Sequence, residues 1–224
     1  MRMLFYDISP EVEAFSTERT DNCDFEVVLP LHQAHTALVR RIPQEKDDIT
    51  GVDALITNEL DLRIGVKTAD CVPILLFDKR NKAVAAVHSG WRGTAKNIIR
   101  ETLDRMGMEF GTRGEDIKAI IGPCIHLGAF EVGPEVVKAF TKETRPEEFP
   151  FAALLPHPET RAVKWHLDLP AICRRQLLDC GVSSADIEVR SECSWSQHQR
   201  FFSARRLGNE FDRQRTYSCI KLIP

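Results

Sequence analysis

The sequence predicts a mixed α/β or α+β fold, and three observations carry this prediction. Two short runs, VPILLF and AVAAV, are almost wholly apolar, which is typical of strands that are covered on both faces. The turn Asp78–Lys82 separates these runs, as it would in a hairpin. Helix patterns follow later in the chain, and 224 residues suit a single domain spanning residues 1–224.

Further short runs alternate with turn residues and indicate additional strands. Taken together, the predicted strands are Met3–Tyr6, Glu26–Leu29, Val52–Thr57, Arg63–Thr68, Val72–Phe77, Ala83–Val87 and Lys118–Ile121. None of these runs approaches the roughly 18 apolar residues of a membrane span. The sequence therefore predicts no membrane partner.

Three helices are predicted from caps and apolar stripes. The first starts near Thr94 and buries one stripe, formed by Ile98, Ile99, Leu103 and Met106. The second covers Pro134–Thr141, with a proline in its first turn. The third covers Leu169–Cys180, with Asp168 as its N-cap and Gly181 just beyond its end. Cys173 and Cys180 share the apolar face of this helix, so we expect both to be core residues.

Composition and charge exclude several classes of protein. The apolar fraction is 43%, the charged fraction is 28% and the net charge is −3, so disorder and nucleic-acid binding have no support. The first residues lack the apolar stretch of an export signal, which predicts a cytosolic protein. Seven cysteines in such a chain are expected to be reduced thiols rather than a disulfide framework.

The hairpin brings a cysteine and a histidine together. Cys71 precedes the first hairpin strand and His88 ends the second, so an antiparallel pairing makes them neighbours. Two chemistries suit this pair, namely a Cys–His nucleophile or two ligands of one metal ion. Asp70, beside the thiol, is a further candidate catalytic residue, with a turn cap as the alternative. A third metal ligand could come from His32 or His35, and His–Cys–His with an open fourth position suits catalytic zinc.

Two arginine-bearing segments are candidate anion sites. In HSGWRGT, Gly90 and Gly93 permit close backbone approach, and Arg92 at a helix start could hold a phosphate and take part in catalysis. The alternative is that these glycines only form the turn. Arg205 and Arg206 in FFSARR could contact substrate or phosphate, or else lie on a strand whose arginine side chains alternate between solvent and a salt bridge. Cys124, after a Gly-Pro turn, could face the same cleft or be structural.

Taken together, several segments resemble the laccase-domain family, also known as the YfiH-type purine nucleoside phosphorylases and formerly labelled multicopper polyphenol oxidases. The matching stretches occur in family order along nearly the whole chain: QAH (33–35), DALITN (53–58), TADCVPILLFD (68–78), AVAAVHSGWRGT (83–94), IGPCI (121–125), FEVG (130–133) and FFSARR (201–206). The spacing between TADC and HSGWRG is the most specific part of the match.

The resemblance implies a single domain of layered α/β/β/α architecture with mixed sheets. It implies a zinc site formed by His35, Cys71 and His88, and so selects His35 over His32. Phosphorolysis of adenosine, inosine, guanosine and methylthioadenosine is implied, together with adenosine deamination at the same site. Purine nucleosides and phosphate would then be the partners of the protein.

Two alternative enzymes remain open beside the phosphorylase. One is a copper-dependent polyphenol oxidase, which is disfavoured because seven histidines are too few for a multicopper cluster and no methionine lies near these motifs. Copper remains a second occupant of the metal site. The other is a metal-free Cys71–His88 hydrolase that edits peptidoglycan precursors. The chain also departs from the family pattern: Leu207 stands where the family has Asp, and His126–Phe130 replace its second cysteine motif.

Overall fold

The computed structural model describes residues 2–19, 25–141, 148–156, 161–208 and 214–224. Within these ranges the strands are β1 (Met3–Phe5), β2 (Val12–Thr17), β3 (Val39–Arg41), β4 (Ala54–Thr57), β5 (Ile64–Thr68), β6 (Val72–Asp78), β7 (Ala83–Ser89), β8 (Ile117–Ile121), β9 (Glu131–Val132), β10 (Ala152–Pro156), β11 (Val163–Leu167), β12 (Ile187–Val189) and β13 (Thr216–Leu222). The helices are α1 (Trp91–Ala95), α2 (Ile98–Phe110), α3 (Pro134–Phe140), α4 (Leu169–Asp179) and α5 (Ala204–Leu207).

These strands form three sheets. A six-stranded mixed sheet has the order β12-β8-β6-β7-β4-β3, a four-stranded sheet has the order β1-β2-β13-β5, and a three-stranded sheet has the order β10-β11-β9. The pairs β3–β4 and β12–β8 are parallel, whereas the other pairs are antiparallel. The expected mixed α+β fold is therefore confirmed.

Successive side chains of β7 point alternately into two hydrophobic cores. Ala85 and Val87 face a core that includes α2 and α4, whereas Val84 and Ala86 face a second core shared with the four-stranded sheet. This alternation follows from the two-residue period of a strand. Both faces of the central sheet are covered, which explains why its strands read as continuous apolar runs. The described helices α2 and α4, the six-stranded sheet and the four-stranded sheet thus form three successive layers, α/β/β, of the expected α/β/β/α order.

The predicted helices are found, with one change at the first. The helix starts earlier than predicted, at Trp91, and breaks at Asn97, whose left-handed φ of 61° separates α1 from α2. The expected stripe is buried on α2. The Asp168 carboxylate accepts a hydrogen bond from the amide of Ala171, which confirms the N-cap of α4. Gly181 has a left-handed φ of 87°, as a position after a helix end favours. Cys173 is buried as expected, but the same expectation was wrong for Cys180, which is only half-buried because it lies at the C-cap, beyond the last residue of α4.

Several elements differ from the prediction. The run Glu26–Leu29 forms only one isolated bridge, between Val28 and Ile64, because it follows the edge of β5 instead of entering the sheet. β3 and β9 have only three and two residues, and the six residues of β2 lack a regular apolar alternation, so none of these strands was predicted. None of the described helices is long and apolar enough to cross a bilayer.

Candidate metal centre

Three side chains converge beside the end of the β6–β7 hairpin. One donor atom each from His35, Cys71 and His88 lies within 4.8 Å of the others. The Cys71 Sγ is 3.7 Å from the His35 Nε2, and the two imidazole rings meet edge to face with centroids 4.9 Å apart. His88 is buried, while the other two side chains are half-buried. The cluster is therefore buried on one side and accessible on the other.

The hairpin register accounts for two of these positions. Val72 pairs with Ser89 and Pro73 with His88, so Cys71 lies just beyond the strand pair, beside the end of β7. This is the neighbourhood that the sequence predicted for Cys71 and His88. Even-numbered β7 residues face the four-stranded sheet, so His88 points away from the helices.

The third position, His35, is held by a loop that follows the edge of β5. The side-chain amide of Gln33 donates to the Lys67 carbonyl at 2.8 Å and accepts from the Lys67 amide at 2.8 Å. A side chain thus occupies the hydrogen-bonding edge that another strand would take. This pair of bonds fixes the loop two residues before His35, whose φ of 56° is left-handed.

Gly90 provides the space in which these donors meet. A Cβ atom at this position would lie 2.5 Å from Cδ2 of His35 and 3.1 Å from Sγ of Cys71. A Cβ atom at Gly93 would lie 2.9 Å from the carbonyl oxygen of Thr36. The close approach expected at these glycines is therefore made by the His35 loop of the chain itself. The sequence indicated the need for glycine but not the group that approaches.

Asp53 lies beneath the cluster and was not identified from the sequence as a site residue. Its side chain is fully buried, and its Oδ1 accepts a 2.7 Å hydrogen bond from Nδ1 of His88. Burial would raise the pKa of this carboxyl, but hydrogen bonds from His88 and Thr36 lower it below its ordinary value. Asp53 therefore remains a carboxylate. The only sequence signal was its place in the DALITN stretch.

The electrostatics of the cluster favour a charged pair between Cys71 and His88. Burial raises the pKa of a thiol, but the charge of His88 and a hydrogen bond with His35 outweigh it and lower the pKa of Cys71 to about 6. Burial lowers the pKa of an imidazole, but the Cys71 thiolate and the Asp53 carboxylate raise that of His88 to about 9. Without a bound ion, the pair is thiolate and imidazolium near neutral pH.

The donor set fits a tetrahedral metal ion. Zinc–sulfur distances of about 2.3 Å and zinc–nitrogen distances of about 2.0–2.1 Å place tetrahedral donor atoms about 3.4–3.6 Å apart. The 3.7 Å between Cys71 and His35 is close to that separation, and the donor atom of His88 lies within 4.8 Å of both. Imidazole and thiolate are also the donors that zinc prefers, and copper accepts them as well. The geometry is thus suited to a metal ion without specifying which one.

A cavity of about 450 Å³ opens above the three donors. Positive charge is contributed to its wall by Lys67, Arg205 and Arg215, and apolar surface by Ile125 and Phe130. The guanidinium of Arg205 lies 5.5 Å from the centre of the Phe130 ring and donates to the carbonyl of Glu131 at 2.7 Å. The cavity can therefore hold a ligand that has both a ring and an anionic group.

The remaining predicted residues divide between the cavity and the surface. Asp70 and Arg205 line the cavity, and the Asp70 carboxylate accepts hydrogen bonds from the Ser194 hydroxyl and the Arg205 amide, each at 2.6 Å. Arg92 is not among the lining residues, because its exposed guanidinium packs 4.2 Å from the centre of the Trp91 ring. Arg206 packs over Trp195 instead.

Cys124 also lies away from the cavity. It is fully buried in the core beneath the helices, where burial raises the pKa of its thiol well above the ordinary value. Its neighbour along the chain, Ile125, reaches the cavity instead. Of the two roles left open by the sequence, the structural one fits this position.

Comparisons with known proteins agree with the fold and the motifs. The chain belongs to the family described as multi-copper polyphenol oxidoreductase laccase, which it matches over residues 7–222. The crystal structure of YfiH from Bacillus licheniformis superposes with a TM-score of 0.82 over 98% of this chain and 96% of that one, at 22% identity. That likeness shows a shared fold.

Two curated relatives carry enzyme names. A purine nucleoside phosphorylase from Bacteroides thetaiotaomicron is 47% identical over 165 residues, which are 74% of this chain and 59% of that protein. Adenosine deaminase RL5, from an unknown prokaryotic organism, is 42% identical over 168 residues, which are 75% of this chain and 62% of that protein. The match thus spans less than two thirds of the length of either relative.

Proposed function

We propose that this chain forms a single domain that binds zinc and acts as a purine nucleoside phosphorylase with adenosine deaminase activity. One observation carries the proposal: His35, Cys71 and His88 converge on the floor of a cavity that also has cationic and aromatic walls. The names of the curated relatives support the substrate class. Adenosine, inosine, guanosine and methylthioadenosine are the proposed nucleosides.

In phosphorolysis, a phosphate oxygen bonds to C1′ of the ribose as the bond from C1′ to the purine nitrogen breaks. The products are ribose 1-phosphate and the free base, which leaves with a proton. Lys67 and Arg205 bring positive charge to the cavity wall, where it attracts phosphate. Phe130 offers an aromatic surface for a ring of the nucleoside. Arg92 and Arg206 have no part in the proposed site.

Asp70 acts through Arg205. The Asp70 carboxylate holds the amide of Arg205 at 2.6 Å and thereby fixes the start of α5 against the cavity. Since its other oxygen accepts from Ser194, we assign Asp70 a positioning role rather than proton transfer. His35, Cys71 and His88 would hold the zinc ion. When bound, zinc would supply Lewis-acid chemistry for deamination at the amino-bearing carbon of adenosine.

Product analysis tests this proposal directly. The zinc-loaded protein, incubated with inosine and phosphate, is expected to release hypoxanthine and ribose 1-phosphate, and adenosine alone is expected to give inosine and ammonia. Arg92→Ala serves as a surface control and should keep both activities, whereas Arg205→Ala should raise the KM for phosphate. Protein that carries one zinc ion per chain and forms neither product would overturn the proposal.

A second candidate function follows from the Cys71–His88 charge pair. A thiolate beside an imidazolium is the arrangement of a cysteine nucleophile, so a metal-free hydrolase acting on a peptidoglycan precursor is the alternative. Chelation separates the two candidates. It should abolish nucleoside turnover by the zinc enzyme, whereas a cysteine hydrolase would keep its activity in chelator and lose it on alkylation of Cys71.

A further inference from the structure

One buried carboxylate joins the two histidine-bearing segments. Asp53 Oδ1 accepts hydrogen bonds from Nδ1 of His88 at 2.7 Å and from the amide of His35 at 3.1 Å. Its Oδ2 accepts from the amide and the hydroxyl of Thr36 at 2.6 and 2.7 Å. Its backbone carbonyl accepts from the amide of His88 at 2.7 Å. A single residue thus bridges two segments that are distant in sequence.

We propose that Asp53 is a positioning residue that holds both histidine ligands of the metal site and, by its charge, favours a divalent ion over a monovalent one. The inference rests on the metal-binding part of the proposed function and not on the nucleoside chemistry.

The first argument concerns the orientation of His88. Because Nδ1 donates its hydrogen to Asp53, Nε2 is the nitrogen left for the cluster formed with Cys71 and His35. Outer carboxylates commonly fix the tautomer and ring angle of metal-binding histidines in this way. A ring rotated away from this position would leave a fully buried carboxylate without its imidazole donor.

The second argument concerns His35, whose left-handed backbone disfavours a residue with a Cβ atom. Asp53 offsets this cost by accepting from two successive amides of the loop, at His35 and Thr36. Gly93 contributes the space for the carbonyl of Thr36. Without the carboxylate, these amides lose their acceptor, and nothing in this contact then stabilises the left-handed conformation of the loop.

The third argument concerns charge. With a divalent ion, one thiolate and one carboxylate, the buried site is neutral, whereas a monovalent ion leaves a net negative charge. Asp53 is fully buried, so solvent screens this difference weakly. Loss of the carboxylate should therefore weaken the binding of Zn(II) more than that of Cu(I). A purely structural defect would weaken both ions alike.

Competition with chromophoric chelators tests the inference on the full chain. Asp53→Asn is expected to lower the Zn(II) affinity by about 10–100-fold, the usual cost of losing an outer partner of a ligand. Its Cu(I) affinity should fall less, so the ratio of the Zn(II) and Cu(I) association constants decreases. The charge-transfer band of the Co(II)-loaded variant should still report a thiolate ligand, because Cys71 is not held by Asp53.

Asp78→Asn is the matched control. Asp78 is also fully buried and accepts hydrogen bonds from the amides of Arg80 and Asn81, but it lies at the opposite end of the β6–β7 hairpin. Its loss should lower stability and leave the metal affinities unchanged. Equal weakening of Zn(II) binding in both variants, or an unchanged Zn(II)/Cu(I) ratio in Asp53→Asn, would overturn the inference.

Thr36→Val keeps the inference testable if Asp53→Asn does not fold. This variant removes a hydroxyl that can donate to Oδ2 of Asp53 or to the carbonyl of Gly51 but retains the carboxylate, so a smaller loss of affinity, equal for both ions, is expected. A fall of the Zn(II)/Cu(I) ratio in Thr36→Val as large as that expected for Asp53→Asn would contradict the charge argument, because the carboxylate is still present. Failure of the unsubstituted chain to bind any ion would overturn the metal part of the proposed function as well, which distinguishes it from failure of this inference alone.

Discussion

Cys71 and Cys173 lie on opposite sides of the same strand end, and their thiols differ in acidity. Cys71 faces the cavity beside His88, and its pKa is lowered to about 6. Cys173 lies on α4, where its Sγ is 3.6 Å from the hydroxyl of Ser89, the next residue of β7. Burial raises the pKa of Cys173 to about 12, although hydrogen bonds with hydroxyl groups partly oppose it.

The difference shows that burial alone does not set the chemistry of a thiol. Burial raises the pKa in both places, but on one side of β7 an imidazole charge outweighs it, whereas on the other side only neutral hydroxyls oppose it. Successive residues of a strand point to opposite faces, so His88 faces Cys71 on one side of β7 and the next residue, Ser89, faces Cys173 on the other. The strand thus separates a reactive thiol from a packing thiol.

Removal of each thiol should give the largest contrast. Cys71→Ala is expected to lower the zinc affinity by more than the roughly 10–100-fold that loss of an outer partner costs, because a direct ligand is lost. Cys173→Ala should keep the affinity and lose about 1–2 kcal/mol of stability through the small cavity it leaves. Chelator competition and urea unfolding measure the two effects. Similar zinc affinities for the two variants would contradict the assignment of Cys71 as the ligand.

The convergence of Cys71 and His88 was predictable because it depends on a hairpin, and hairpin register follows from local sequence. The buried positions of Cys173 and of the α2 stripe were predictable for the same reason, since helix periodicity is local. His35 could not be predicted in this way. Ligand chemistry alone did not distinguish His35 from His32 as the third metal ligand, and only the resemblance to a known family selected His35.

What the sequence could not predict depends on contacts between distant segments. Asp53 binds groups at His35 and His88, and no local pattern distinguishes such a carboxylate from one at a surface. The arginines illustrate the same limit. Arg205 reaches the cavity because α5 packs beside Asp70, whereas Arg92 stacks on its own neighbour, Trp91. Spacing alone could not separate these two positions.

The second prediction concerns the space above the reactive thiol. Gly90→Ala should displace the His35 ring, because its Cβ atom would lie 2.5 Å from Cδ2 of that ring. We expect a loss of about 1–3 kcal/mol of stability, typical of overpacking, and a marked loss of zinc affinity. Gly128→Ala is the matched control, since nothing lies within 4 Å of a Cβ atom there. Zinc binding by Gly90→Ala at the wild-type level would contradict the described packing.

The third prediction compares the reactivity of the two thiols in metal-free protein. Since the thiolate is the reactive form and the pKa of Cys71 is about 6, its rate of alkylation by iodoacetamide should level off above that pH and fall about tenfold per unit below it. Cys173 should remain unlabelled until the protein unfolds. Peptide mass spectrometry after timed labelling identifies each site. Labelling of Cys71 with the midpoint of an ordinary thiol, near pH 9, would contradict the charge pair.

The last prediction concerns the alkaline side of the stability curve. The neutral thiol of Cys173 is favoured in the folded state, where its pKa is about 12, over the unfolded state, where it is near 9. Its contribution is therefore complete below pH 9 and declines as the pH rises from there toward 12. Cys173→Ala lacks this group, so its deficit in the free energy of unfolding should shrink over that range. Other alkaline groups, such as Tyr6, are common to both proteins and cancel in the difference. Urea unfolding at several pH values measures it, and a deficit that stays constant from pH 8 to pH 11 would show that burial does not hold this thiol neutral.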